Sequence, residues 1–351
     1  MSEEGTTKET SMLAIILFVF LSMIFAEVFS GADPLWFLNA WGWFVSLPLY
    51  GAHALLLLNL AMRYERTSLT QLYLWGVLFG LYEGWITKVI WAGYMDSIPT
   101  FGTFFGFAIG EFLIIVLFWH AVFSFIIPIL VFQIVVQGTN KGDANAIYTS
   151  HLKVISKNTR NKILLGIVIL AGSFFITMGL NADSLAIIVA GGVNFAYIYM
   201  LSWIATTWSK KPLSLESLRL GERGMVIVVV YLIALYGIMF LTLLPERIPS
   251  VGTILLTIAF YMIVITMIFL TPRDTRKTIE LPSGIMNFGD LTWALIMLIM
   301  LAITWSMLSI VALFVGTLFY AGMLLLGPIL FFVAVINVLR KYRASTQQPS
   351  E

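Results

Sequence analysis

The chain has 351 residues, 60% of them hydrophobic and 11% charged, with a formal net charge of +2 and a mean hydropathy of +0.96. A soluble domain cannot hide that much apolar surface, since ordinary globular chains are about one-quarter charged; the composition points to an all-α, polytopic integral membrane helical bundle, with the lipid bilayer as its partner and no nucleic acid. The lack of cysteine excludes disulfides, thiolate metal sites and cysteine nucleophiles.

About twenty apolar residues cross a bilayer core. Ten stretches qualify in chain order: 11–30, 35–62, 69–91, 103–137, 163–182, 184–208, 224–244, 251–271, 291–313 and 316–339. The start, MSEEGTTKET, is acidic, so 11–30 reads as a retained first span rather than a cleaved signal. In the second stretch Trp36, Asn39, Trp43, Ser46, Tyr50 and His53 recur at spacings of three and four, which puts them on one helical stripe facing protein or water. The third carries Gly76, Gly80, Glu83 and Thr87 on a matching stripe, and the fourth carries Gly106, Gly110, His120 and Ser124. Small residues at this spacing let membrane helices approach closely. Trp36, Trp41, Trp43 and Trp91 fall near the expected outer interface, as an aromatic belt does.

Six ionisable residues lie inside the first four stretches: Glu27, His53, Glu83, Lys88, Glu111 and His120. Charge at bilayer depth is costly and is kept where a protein interior or wet cavity partners it. Helical rise from the outer ends gives depths of about 5 Å for Glu27 and Lys88, about 12 Å for Glu83 and Glu111, about 27 Å for His53 and about 25 Å for His120. The expectation is three tiers, with Glu27 and Lys88 snorkelling or pairing at the outside. Glu83, on the small-residue seam, is the first candidate for a proton-carrying group.

Between spans, ten crossings place eighteen of the twenty Lys and Arg residues on one side, leaving Arg247 opposite and Lys88 within a span. The positive-inside rule then makes both termini cytoplasmic, as expected in a plasma (cell) membrane. The inner loop 138–162 suggests a short interfacial helix around Ile147–Ile155, with His151 solvated. The expected organisation is a four-helix unit over 1–137 with the polar seam, the cytoplasmic loop 138–162, and a more apolar six-helix unit over 163–351 with a short tail.

No phosphate loop, H-E-x-x-H or dinucleotide fingerprint occurs. The leading expectation is a transporter or permease with a titratable path through Glu83, His120, His53, Glu111, Glu27, Lys88, Tyr50, Asn39, Ser46, Ser124 and Thr87, coupled to protons or cations, for a small-molecule or ion substrate. The alternative is a membrane-embedded enzyme for a lipid or isoprenoid substrate. No cofactor is predicted for the carrier; the enzyme alternative brings a divalent metal, with His53, His120, Glu83 and Glu111 as ligands. A third reading is a membrane-complex subunit whose polar seam binds a partner chain.

Overall fold

Helices account for nearly all regular structure in the computed structural model, which describes residues 3–94, 97–137, 148–209, 213–274 and 284–346. In order they are α1 (Glu3–Met23), extended by a wider π-helical turn over Ile24–Val28; α2 (Gly42–Arg63); α3 (Leu69–Gly80); the single turns α4 (Tyr82–Trp85) and α5 (Val89–Ala92); α6 (Ile109–Val136); α7 (Thr149–Ile155); α8 (Thr159–Gly179); α9 (Ser184–Trp208); α10 (Glu222–Thr242); α11 (Val251–Leu270); α12 (Phe288–Met307); and α13 (Ser309–Thr346). A two-stranded hairpin, β1 (Thr103–Phe104) and β2 (Phe107–Ala108), precedes α6. Eight helices among the described residues, α2, α6 and α8–α13, are long and apolar enough to cross a membrane, and Met12–Val28 is a shorter apolar helix. Their outward side chains suit hydrocarbon: Ile227, Leu241, Val251 and Leu325 are each about two-thirds exposed or more.

The third expected span, 69–91, is not one helix. It stops at Gly80, makes one turn through Tyr82–Trp85, and turns again at Lys88, whose φ of 60° is left-handed. Irregular backbone at membrane depth is tolerated where it is buried in protein, and Tyr82, Glu83, Ile86, Lys88 and Val89 are all buried. The fourth span starts at Ile109 rather than 103. Phe105 and Gly106 have φ of 51° and 81°, the positive pair that a tight two-residue hairpin turn requires, so Gly106 belongs to the hairpin and not to a helix seam.

Contacts gather the chain into two compact units. The first comprises Met1–Gly51, Ile127–Arg219 and Arg276–Phe319; the second comprises Ala52–Ile126, Leu220–Thr275 and Tyr320–Glu351. Neither coincides with 1–137 or 163–351.

In the first unit Trp36 is fully buried and its indole N–H donates to Asn194 Oδ1 (2.9 Å), while Asn194 Nδ2 donates to the carbonyl of Pro34 (3.1 Å). Trp36 is therefore a core residue, whereas Trp41 and Trp43 are exposed as a belt would be. The carbonyl of Gly31 packs where a side chain on Gly179 would stand, 2.0 Å from such a Cβ. The short helix α7 forms, with Tyr148, Leu152 and Ile155 buried. His151 is not solvated: it is fully buried and hydrogen-bonded to Gln133. The rest of that loop, 138–147, lies outside the described residues, as do Asp96, Lys141, Lys210, Lys211, Arg276 and Lys277.

In the second unit α3 and α6 meet backbone to backbone. A Cβ at Gly76 would stand 2.6 Å from Ala121 Cα, and one at Gly80 would stand 2.8 Å from Val116 Cα and 3.3 Å from His120 Cβ. The two glycines thus set the spacing that brings His120 against the broken end of the third segment. Over Phe112–Ile126 α6 is π-wound, a rare geometry that recurs at functional sites. The Tyr73 hydroxyl donates to the Leu117 carbonyl within this stretch (2.7 Å).

Candidate functional site

Glu83 and His120 form the centre of the site. Glu83 Oε1 lies 3.1 Å from His120 Nε2, and both residues are buried. The Thr87 hydroxyl donates to Glu83 Oε2 and to the Glu83 carbonyl oxygen (2.8 Å). His120 Nδ1 pairs with the Ser124 hydroxyl at 2.8 Å, one helical turn on. Each partner of the pair is thus held by a hydroxyl from its own segment. Coulomb attraction across 3.1 Å is about 5 kcal/mol at an effective dielectric of about 20, which offsets much of the desolvation of a charged pair.

His53 stands beside this pair. Its Nε2 pairs with the Tyr236 hydroxyl (2.9 Å). Phe79 stacks on both imidazoles, with centroids 5.2 Å from His53 and 5.6 Å from His120, and Tyr82 packs against both at 5.0 and 5.1 Å. His53 and Tyr236 also line a cavity of about 610 Å³, with Trp75, Tyr261 and aliphatic side chains around them.

The expected tiers do not survive. Glu83 and His120, placed about 13 Å apart in depth by straight helices, are in contact. Two facts account for this: α6 begins six residues later than expected, and the third segment breaks after Gly80. Glu83 and Glu111 do not pair either. Glu111 is fully buried near the start of α6, where Oε1 accepts from Thr100 N (3.4 Å) and Thr100 Oγ1 (3.5 Å).

Lys88 is fully buried, so it does not snorkel. Its ammonium donates to carbonyls of Leu243, Met239 (2.8 Å) and Ile86 (3.3 Å), and stands 5.5 Å from the Phe240 ring centroid. Met239 and Leu243 close the C-terminal end of α10, where free carbonyls and the helix dipole favour a cation. Lys88 thus caps a helix rather than pairing with Glu27. Glu27 belongs to the first unit, where its Oε1 accepts from the Tyr50 hydroxyl (2.5 Å).

The stripe expected on helix two also divides. α2 begins at Gly42, so Trp36 and Asn39 precede it. Asn39 is exposed; its Oδ1 accepts from Gly42 N (2.5 Å) and its Nδ2 donates to Asp33 (3.2 Å), which is a helix-capping role. Ser46 and Tyr50 fall in the first unit and His53 in the second. Among the described residues no three His, Asp or Glu side chains converge as a metal site would need, so the four-ligand shell of the enzyme alternative does not assemble.

Tyr236 and Tyr261 were not singled out in the sequence, because the later spans read as uniformly apolar. The available signal was a tyrosine hydroxyl deep in an otherwise aliphatic span, which must find a partner there.

Comparisons with known proteins give kinship rather than chemistry. A protein of Archaeoglobus fulgidus described as an uncharacterized protein is 38% identical over 129 residues, which are 36% of this chain and 39% of the relative. The chain therefore spans about two-fifths of the length of that relative. No solved structure matches it. Residues 16–341 match an uncharacterized membrane protein family, and the chain belongs to that family of membrane proteins.

Proposed function

We propose that the protein is a proton-coupled carrier, with Glu83 and His120 as its proton-binding centre. The observation that carries this reading is the buried Glu83–His120 contact, held by Thr87 and Ser124. With one shared proton the pair is neutral overall, whichever partner holds it. A second proton leaves a neutral carboxyl beside an imidazolium, a net charge of +1. A site that alternates between these states carries charge with its proton. His53 and Tyr236 extend the titratable and hydroxyl-bearing groups toward the cavity. The positive-inside distribution supports both termini in the cytoplasm of a cell whose plasma membrane holds the protein.

Charge displacement on a solid-supported membrane tests this. A step from about pH 8 to about pH 6, the range over which imidazole titrates, should drive a transient current through proteoliposomes of the full chain. Glu83→Gln and His120→Gln should each abolish it. A current of unchanged size in both variants would overturn the assignment.

A further inference from the structure

The hairpin that precedes α6 carries an exposed aromatic tip. Phe104 and Phe105 are 63% and 71% exposed, and their rings meet edge to face at a centroid distance of 4.5 Å. The tip is tied to the ends of two spans. Ala108 leads directly into α6 at Ile109. Gly106, in the turn, packs on the first turn of α11, where a Cβ would stand 2.0 Å from Thr253 Oγ1. Val251 opens α11 and Leu255 follows one turn on; both are exposed, so this end of α11 turns an apolar face outward next to the hairpin. Both α6 and α11 are long and apolar enough to cross a membrane. The hairpin therefore lies at the level where they enter the bilayer.

Two opposing demands fix its surroundings. Exposed aromatic surface of this kind gains by leaving water. The hairpin is also a two-stranded sheet, so each strand has an outer edge with no strand beside it. The backbone N–H and C=O groups of an open edge are not tolerated in hydrocarbon. The headgroup layer satisfies both demands, since it accepts aromatic rings and still hydrates backbone. We infer that Thr103–Ala108 is an interfacial anchor: its Phe104–Phe105 tip binds the phospholipid headgroup layer at the boundary with the acyl chains. It thereby pins the start of α6, the helix that carries His120. The inference stands apart from the proton carrier.

The lack of cysteine makes spin labelling specific and supplies the test. Phe104→Cys and Phe105→Cys of the full chain are each labelled with a nitroxide and reconstituted in phosphatidylcholine vesicles. Power saturation reads collision rates with oxygen, which concentrates in hydrocarbon, and with a water-soluble nickel chelate. Met262→Cys, exposed and midway along α11, marks hydrocarbon. Lys341→Cys, exposed near the end of the 38-residue α13, marks water. The oxygen-to-nickel ratio at both tip positions should fall between those of the two references. A ratio equal to that at Lys341 would leave the tip in water and overturn the inference. A ratio equal to that at Met262 would place it in hydrocarbon and overturn it too. Low collision rates with both reagents would mean that a second copy or another protein covers the tip, which also overturns it. The measurement needs no transport activity, so failure of the carrier assignment leaves its outcome unaffected.

Discussion

Replacing Gly80 with alanine tests the link from small-residue seam to site. The new methyl would sit 2.8 Å from Val116 Cα, and one at Gly76 would sit 2.6 Å from Ala121 Cα. Carbon contacts settle at about 3.5–4.0 Å, so α3 and α6 must part by about 1 Å. The obstacle is backbone, which cannot rotate away. Overpacking of this kind costs about 1–3 kcal/mol. The same displacement would stretch the 3.1 Å Glu83–His120 contact beyond hydrogen-bonding range, adding about 1.5–3 kcal/mol for a bond to a charged group. Gly237 is the control: it lies within α10 with open space around its would-be Cβ, so Gly237→Ala should be neutral or stabilising by up to about 1 kcal/mol. Thermal unfolding in detergent, followed by tryptophan fluorescence, should rank Gly80→Ala well below Gly237→Ala, and the pH-driven current should fall in Gly80→Ala alone. Equal stability of the two variants, with full current in both, would refute the reasoning.

Other expectations follow from single contacts. Lys88→Met removes the donor that caps α10 and leaves the Met239 and Leu243 carbonyls short of a partner, so stability should drop by about 1–3 kcal/mol, read as a lower melting temperature. Trp36→Phe removes the donor to buried Asn194 Oδ1 and should cost a similar amount; an unchanged melting temperature would exclude the bond from the first unit's stability. Asp33, in the loop between α1 and α2, has its carboxyl raised by burial, against the lowering effect of the Asn39 amide. A raised carboxyl favours the fold while protonated, and that contribution is lost as pH rises through the folded value. Asp33→Asn should therefore stabilise the protein at neutral pH, with the advantage fading as pH falls through the raised folded value toward the unfolded value of about 4; a gain that is constant with pH would contradict this.

Composition alone was enough to identify a polytopic helical membrane protein, because hydrocarbon and water demand different side chains. The close approach at Gly76 and Gly80 was legible too, since small residues one turn apart define a face, and Glu83 on that face does point into protein. The partner of Glu83 was not legible. Finding His120 required knowing that Lys88 adopts a left-handed conformation that its residue type does not advertise, and that 103–108 forms a hairpin instead of the first turns of a helix. The start of α2 at Gly42, later than the stretch from 35, turned Asn39 from a member of the polar stripe into a cap. His151 looked solvated because a histidine in a charged loop usually is; its burial depends on Gln133, eighteen residues away, which no local pattern reveals.

The central claim is that Glu83 and His120 exchange protons as a buried pair. The chain contains three histidines, His53, His120 and His151, so nitrogen NMR of histidine-labelled protein in lipid can follow each ring separately. A proton shared across the pair makes the His120 Nε2 signal depend on Glu83: it should move in Glu83→Gln, while the signals of His53 and His151 stay where they are. A His120 signal that is the same in Glu83→Gln as in the unmutated protein would contradict it.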